Sequence, residues 1–81
     1  SIIYKTILEA RKQFKTKSAL AISKWVSKQL NATPDAQLEY FQIADEATLL
    51  PCIRKNKDKQ YRVFIAVYIN KTRLIDTISL N

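Results

Sequence analysis

The 81-residue chain contains no glycine, no histidine and no methionine, one cysteine and two prolines. Without glycine, a Walker loop, a dinucleotide-binding fingerprint and a KH-type GxxG clamp cannot be written. Without histidine, and with Cys52 alone, zinc-finger spacings and His-based triads are excluded within the chain. Cys52 has no partner for an internal disulfide, which agrees with a reducing compartment. No apolar run approaches the ~20 residues of a membrane span, and Lys5, Glu9 and Arg11 interrupt the first segment, unlike a secretory signal. The expectation is a cytoplasmic protein.

What is present is ordinary for a folded domain: 47% hydrophobic and 26% charged residues. The length suits one domain, since two would each be too small to bury a core. Such a core supplies only about 3 to 5 kcal/mol, so good packing or an outside support is needed. The net charge is +7 and unevenly spread. Residues 1 to 28 hold seven bases against Glu9. Residues 29 to 53 hold only the acids Asp35, Glu39, Asp45 and Glu46. Residues 54 to 81 hold seven bases against Asp58 and Asp76. A basic surface attracts nucleic acid and phosphorylated ligands, although a solvated lysine face is the simpler reading.

Ile3, Ile7, Ala10 and Phe14 recur at helical spacing and predict a helix over about 2–15. Ser18 is a candidate N-cap for a second helix over about 19–30, with Ala19, Ile22, Val26 and Leu30 as its stripe and Trp25 beside it. The short connection predicts an antiparallel hairpin, and Pro34 marks its exit. LEYFQIA, residues 38–44, favours a strand but does not alternate cleanly, because Tyr40 and Phe41 are adjacent and would face opposite sides. Both of its faces are therefore expected to be covered, one by something outside the chain. Asp45 is a candidate cap for one helical turn ending before Pro51. RKNKDKQ, residues 54–60, reads as a solvated connector, because lysines without an ordered scaffold bind anions only diffusely.

A strand over 61–69 puts Tyr61, Val63, Ile65, Val67 and Ile69 on one face and Arg62, Phe64, Ala66 and Tyr68 on the other. Asn70-Lys71 forms a two-residue turn, Asn70 tolerating the left-handed conformation, into a strand over 72–80. The register pairs Tyr68 with Arg73, Val67 with Leu74, Ile65 with Asp76 and Val63 with Ile78. Asp76 thus falls on the most apolar face of the sheet, where an unpaired carboxylate is costly. The favoured reading is structural: Asp76 ionised and held by backbone amides, Trp25, a tyrosine hydroxyl, or an arginine such as Arg73 or Arg62. Catalytic and exposed-edge readings stand behind it. On the structural reading, Asp76→Ala is expected to cost about 1 to 3 kcal/mol. The fold class is α+β, a helix hairpin packed on a roughly three-stranded antiparallel sheet. Phe41, Phe64 and Tyr68 are read as core or interface, and no RNP-like segment supports a base-stacking platform.

LEYFQIADEATLLP at 38–51 and AVYINKTRLIDTISL at 66–80 resemble the C-terminal domain of the pantothenate synthetase (pantoate-beta-alanine ligase) family. TRLID, residues 72–76, is the most specific piece. Two positions depart from the family pattern: Asn70 stands near a usual hairpin glycine, and Thr77 replaces an asparagine.

The resemblance implies a lid domain of a larger nucleotidyltransferase-like α/β enzyme. That enzyme joins pantoate to beta-alanine through pantoyl-adenylate, using ATP and Mg2+, and releases AMP and pyrophosphate. Its adenylation site lies in an N-terminal Rossmann-like domain with a histidine-containing signature, and the parent is expected to be a homodimer. The resemblance maps no catalytic, cofactor-binding or metal-ligating residue onto this chain. It leaves Arg73 and Asp76 of TRLID as structural candidates. Two rivals remain at this stage: a small basic nucleic-acid-binding module, and an assembly module that pairs through an open strand edge.

Overall fold

The computed structural model describes residues 1–81. Helix α1 spans Ile2–Gln13 and α2 spans Ala19–Asn31; strands β1, β2 and β3 span Ala36–Asp45, Tyr61–Ile69 and Thr72–Ser79. The three strands form one antiparallel sheet in the order β1-β2-β3. The helix hairpin covers one face, with α2 over β1 and α1 over β3. The expected α+β architecture is therefore the one formed.

Each helix starts on a serine. Ser1 Oγ accepts the amide of Tyr4 at 3.3 Å, and Ser18 Oγ accepts that of Ala21 at 3.1 Å, relieving amides that a first turn leaves without intrahelical partners. Both apolar stripes are buried: Ile3, Ile7, Ala10 and Phe14 from the first helical segment, Ala19, Ile22, Val26 and Leu30 from α2. They meet Val63, Ile65 and Val67 of β2 and Ile43 of β1 in one core. Phe14 closes one end of it, edge-on to Tyr61 with ring centroids 5.5 Å apart. Helix α1 ends at Gln13, short of the expected 15, as Thr16 and Lys17 both donate to the Gln13 carbonyl in a tightening final turn.

The β2–β3 hairpin has the expected register, Ile65 opposite Asp76 and Val63 opposite Ile78. Asn70 takes φ of 56° in its two-residue turn, and its amide donates to the Asp35 carbonyl at 2.8 Å. That contact fixes the hairpin tip to the start of β1. Strand β1 begins at Ala36, earlier than the sequence pattern suggests, and carries a bulge between Leu38 and Tyr40. The extra residue, Glu39, explains the broken alternation: Leu38 and Phe41 both reach the helix side, leaving Glu39 and Tyr40 between them for the other face.

The segment after β1 makes the single turn that Asp45 is expected to cap, its carboxylate accepting the amides of Ala47 and Thr48. Residues 46–48 form a hydrogen-bonded turn and no helix. Leu49 donates to the Asp45 carbonyl at 2.7 Å and then adopts φ of 63°, which ends any helical path after one turn. The chain doubles back: Asp45 donates to the Leu50 carbonyl, Cys52 donates to the Ile43 carbonyl, and Ala44 bridges to Pro51. No helix is long and apolar enough to cross a membrane.

Candidate functional site

The face of the sheet away from the helices is uncovered. By register it presents Tyr40 from β1, Phe64, Ala66 and Tyr68 from β2, and Ile75 from β3. Ile75 is 60% exposed and Tyr40 39% exposed, while Phe64 and Tyr68 are half-buried. A solvated sheet face normally carries polar side chains, so this concentration is a departure from the usual alternation.

Two ion pairs frame the patch. Arg73 Nε donates to Glu39 Oε1 at 2.7 Å and Nη2 donates to Oε2 at 3.3 Å, a two-pronged contact reaching from β3 across β2 to the bulge of β1. The hydrogen bond to Glu39, and then its charge, hold the Arg73 guanidinium above its ordinary pKa. Toward the opposite end, Arg62 Nε donates to Glu46 Oε1 and Nη1 donates to Thr77 Oγ1, both at 3.3 Å. Thr77 Oγ1 in turn donates to the Val63 carbonyl at 2.7 Å. The β1 bulge supplies Glu39. In the sequence its only trace is the failed alternation between Leu38 and Phe41.

The two TRLID candidates are therefore not brought together. Arg73 lies on the open face, whereas Asp76 lies half-buried on the helix side, opposite Ile65. Asp76 Oδ1 accepts the amide of Thr77 at 2.8 Å. Neither Arg62, Arg73, Trp25 nor a tyrosine hydroxyl donates to Asp76. The reason is its position on the outer edge strand, where its carboxylate can satisfy an adjacent backbone amide without a buried counter-ion. Of the partners expected from sequence, the backbone amide is the one used.

Asp45 is the buried acid of the molecule, 7% exposed. Its Oδ1 accepts from Ala47 N at 2.8 Å and Thr48 N at 3.3 Å, and Oδ2 lies 3.3 Å from Lys59 Nζ. The Ala47 amide is the main force holding this carboxyl below its usual pKa; burial opposes it, and Thr48 and Lys59 add to the lowering. The turn thus anchored projects Leu49, Leu50 and Ile53 outward, Ile53 being 91% exposed. Burial pushes the Cys52 thiol up, which keeps it protonated and a poor nucleophile at neutral pH.

The basic connector is more ordered than a solvated turn. Lys55 Nζ donates to the Phe14 carbonyl at 2.7 Å and the Lys17 carbonyl at 2.9 Å, and sits 4.7 Å from the Phe14 ring centroid. It caps the C-terminal end of the first helix, where carbonyls lack intrahelical donors. The Asn56 amide donates to the Tyr61 hydroxyl at 2.8 Å, tying the next residue to the core. No local pattern announces Lys55, since its partners lie about forty positions away.

Comparison with known proteins gives these surfaces a context. The sequence profile of the pantoate-beta-alanine ligase family matches residues 1–79. The pantothenate synthetase of Flavobacterium psychrophilum is 55% identical over 80 residues, covering 99% of this chain and 28% of the relative. That of Christiangramia forsetii is 44% identical over 81 residues, covering 100% and 29%. The crystal structure of pantothenate synthetase from Thermus thermophilus shares the fold, with a TM-score of 0.76 at 24% identity over 95% of this chain and 28% of that one. The chain thus spans little more than a quarter of the length of the relatives it matches, and it belongs to the pantoate-beta-alanine ligase family.

Proposed function

We propose that residues 1–81 form the C-terminal lid domain of a pantothenate synthetase. The parent enzyme condenses pantoate with beta-alanine at the expense of ATP, in the cytoplasm and as a homodimer. The reacting groups and the Mg2+·ATP site belong to a preceding Rossmann-like domain. Three acids of this chain are already committed, Glu39 to Arg73, Glu46 to Arg62, and Asp45 to two amides and Lys59. They do not fit a role as metal ligands, and no step is assigned to them. What this domain contributes is closure: a cover over a reactive acyl-adenylate keeps water out and strengthens electrostatics in the cleft without supplying a nucleophile.

The observation that carries this reading is the uncovered sheet face with Tyr40, Phe64, Tyr68 and Ile75, in a chain matching only 28% of its relatives' length. A two-layer domain with one bare aromatic face is suited to rest on the remaining portion of such a protein. The basic nucleic-acid module has no support among the relatives found. The test is an exchange: this chain replaces the matching 28% of the Flavobacterium psychrophilum enzyme, and AMP release dependent on pantoate and beta-alanine is measured. Activity in the chimera and none in the isolated 81 residues is expected. A folded but inactive chimera, or pantothenate formation by the isolated chain, overturns the proposal.

A further inference from the structure

The end of the molecule where the two helices are joined carries a cationic cleft that the lid reading does not use. RKQFKTK at 11–17 and RKNK at 54–57 hold seven of the fourteen bases and no acid. Lys55 ties the two segments together through the carbonyls of Phe14 and Lys17. Between them lies an open cleft of about 530 Å3, lined by Lys15, Lys55 and Lys57, by Asn56 and Asn81, and floored by Phe14, Tyr61 and Leu80. The three salt bridges of the chain use Lys59, Arg62 and Arg73, so none of these seven bases is neutralised by a carboxylate.

A lysine cluster on a mobile loop holds anions only diffusely, and it is the scaffold that distinguishes this one. Lys55 is pinned by two carbonyls and the Phe14 ring, the Asn56 amide by the Tyr61 hydroxyl, and Asn81 Oδ1 accepts the Tyr61 amide at 2.6 Å. Lys15 and Lys57 flank this fixed frame with ammonium groups that neither a carboxylate nor a carbonyl engages, over a floor of nearly buried apolar side chains. Low-dielectric walls lined by charge of one sign concentrate the field within such a cleft. We infer that the cleft between residues 14–17 and 55–57 is a binding site for a small phosphate-bearing anion of multiple charge, held by Lys15 and Lys57 without a metal ion.

The probe is inorganic triphosphate, titrated metal-free into the 15N-labelled 81-residue chain at low and moderate salt. Saturable amide shifts confined to Phe14–Lys17, Lys55–Lys57, Tyr61 and Leu80–Asn81 are expected, with affinity falling as salt rises. Lys15→Glu/Lys57→Glu should weaken binding at least tenfold. Lys24→Glu/Lys28→Glu, which makes the same change in net charge on α2, should weaken it less than threefold. Each variant is first checked for an unchanged amide spectrum outside its own substitutions. Should Lys15→Glu/Lys57→Glu misfold, Lys15→Gln/Lys57→Gln replaces it, with a loss of at least threefold expected. Equal weakening by the two charge reversals, shifts that do not saturate, or binding of a single-stranded oligonucleotide without binding of triphosphate would each overturn the assignment. The result is independent of whether the parent protein makes pantothenate.

Discussion

Lys55→Met removes the ammonium group that caps the first helix while keeping an apolar stem over Phe14. Two charge-assisted hydrogen bonds are lost, one partly buried to the Phe14 carbonyl and one exposed to the Lys17 carbonyl. After discounting for solvent, each is worth about 0.5 to 1 kcal/mol. The cation over the Phe14 ring adds about 0.5 kcal/mol, and its position at a helix C-terminus about 0.3 to 1 kcal/mol. Releasing the pinned lysine returns roughly 1 kcal/mol of side-chain entropy. The net expectation is a destabilisation of about 1 to 2 kcal/mol. At roughly 4 to 8 °C per kcal/mol for a domain of this size, the melting temperature should fall by about 4 to 16 °C. Urea unfolding followed by circular dichroism checks the free energy, with Lys57→Met as the control expected within about 0.5 kcal/mol of wild type. Indistinguishable midpoints for Lys55→Met and Lys57→Met would refute the assignment of Lys55 as a tertiary cap.

Asp76→Ala should cost under about 1 kcal/mol, less than the sequence-based expectation, because the carboxylate serves one local amide on an edge strand; urea unfolding decides between the two values. For Asp45, whose folded pKa is lowered, the stabilisation is present above its unfolded pKa and lost as pH falls through the folded value. Wild type should therefore lose stability below about pH 4 more steeply than Asp45→Asn, as read by urea midpoints across an acid series. Ile22→Ala, at a fully buried position, should cost about 2 to 5 kcal/mol by the same measurement. Ile75→Asp on the open face should leave the isolated chain's urea midpoint within about 0.5 kcal/mol, yet lower AMP release by the chimera several-fold if that face rests on the remainder of the enzyme.

Much of the fold was legible because it is written in short-range periodicity. The helical stripes of Ile3-Ile7-Ala10-Phe14 and Ala19-Ile22-Val26-Leu30, the alternation of 61–69 and the Asn70-Lys71 turn each depend on neighbours a few residues apart. What could not be read depends on distant or subtle geometry. Parity correctly put Asp76 on the helix side, but parity cannot tell a central strand from an edge, and it is the edge position that makes a buried counter-ion unnecessary. The broken alternation around Tyr40 was visible, whereas its cause, a bulge that delivers Glu39 to Arg73 across the central strand, required the pairing of all three strands. Lys55 shows the same limit more sharply: a lysine in a polar connector looks solvated until a helix end about forty residues earlier is brought beneath it. The two features on which the proposed roles of this domain rest lie on surfaces created by those long-range meetings. The bare sheet face exists because β1, β2 and β3 align their outward residues. The cationic cleft exists because the helix turn and the β1–β2 connector converge, and neither surface has a contiguous sequence of its own.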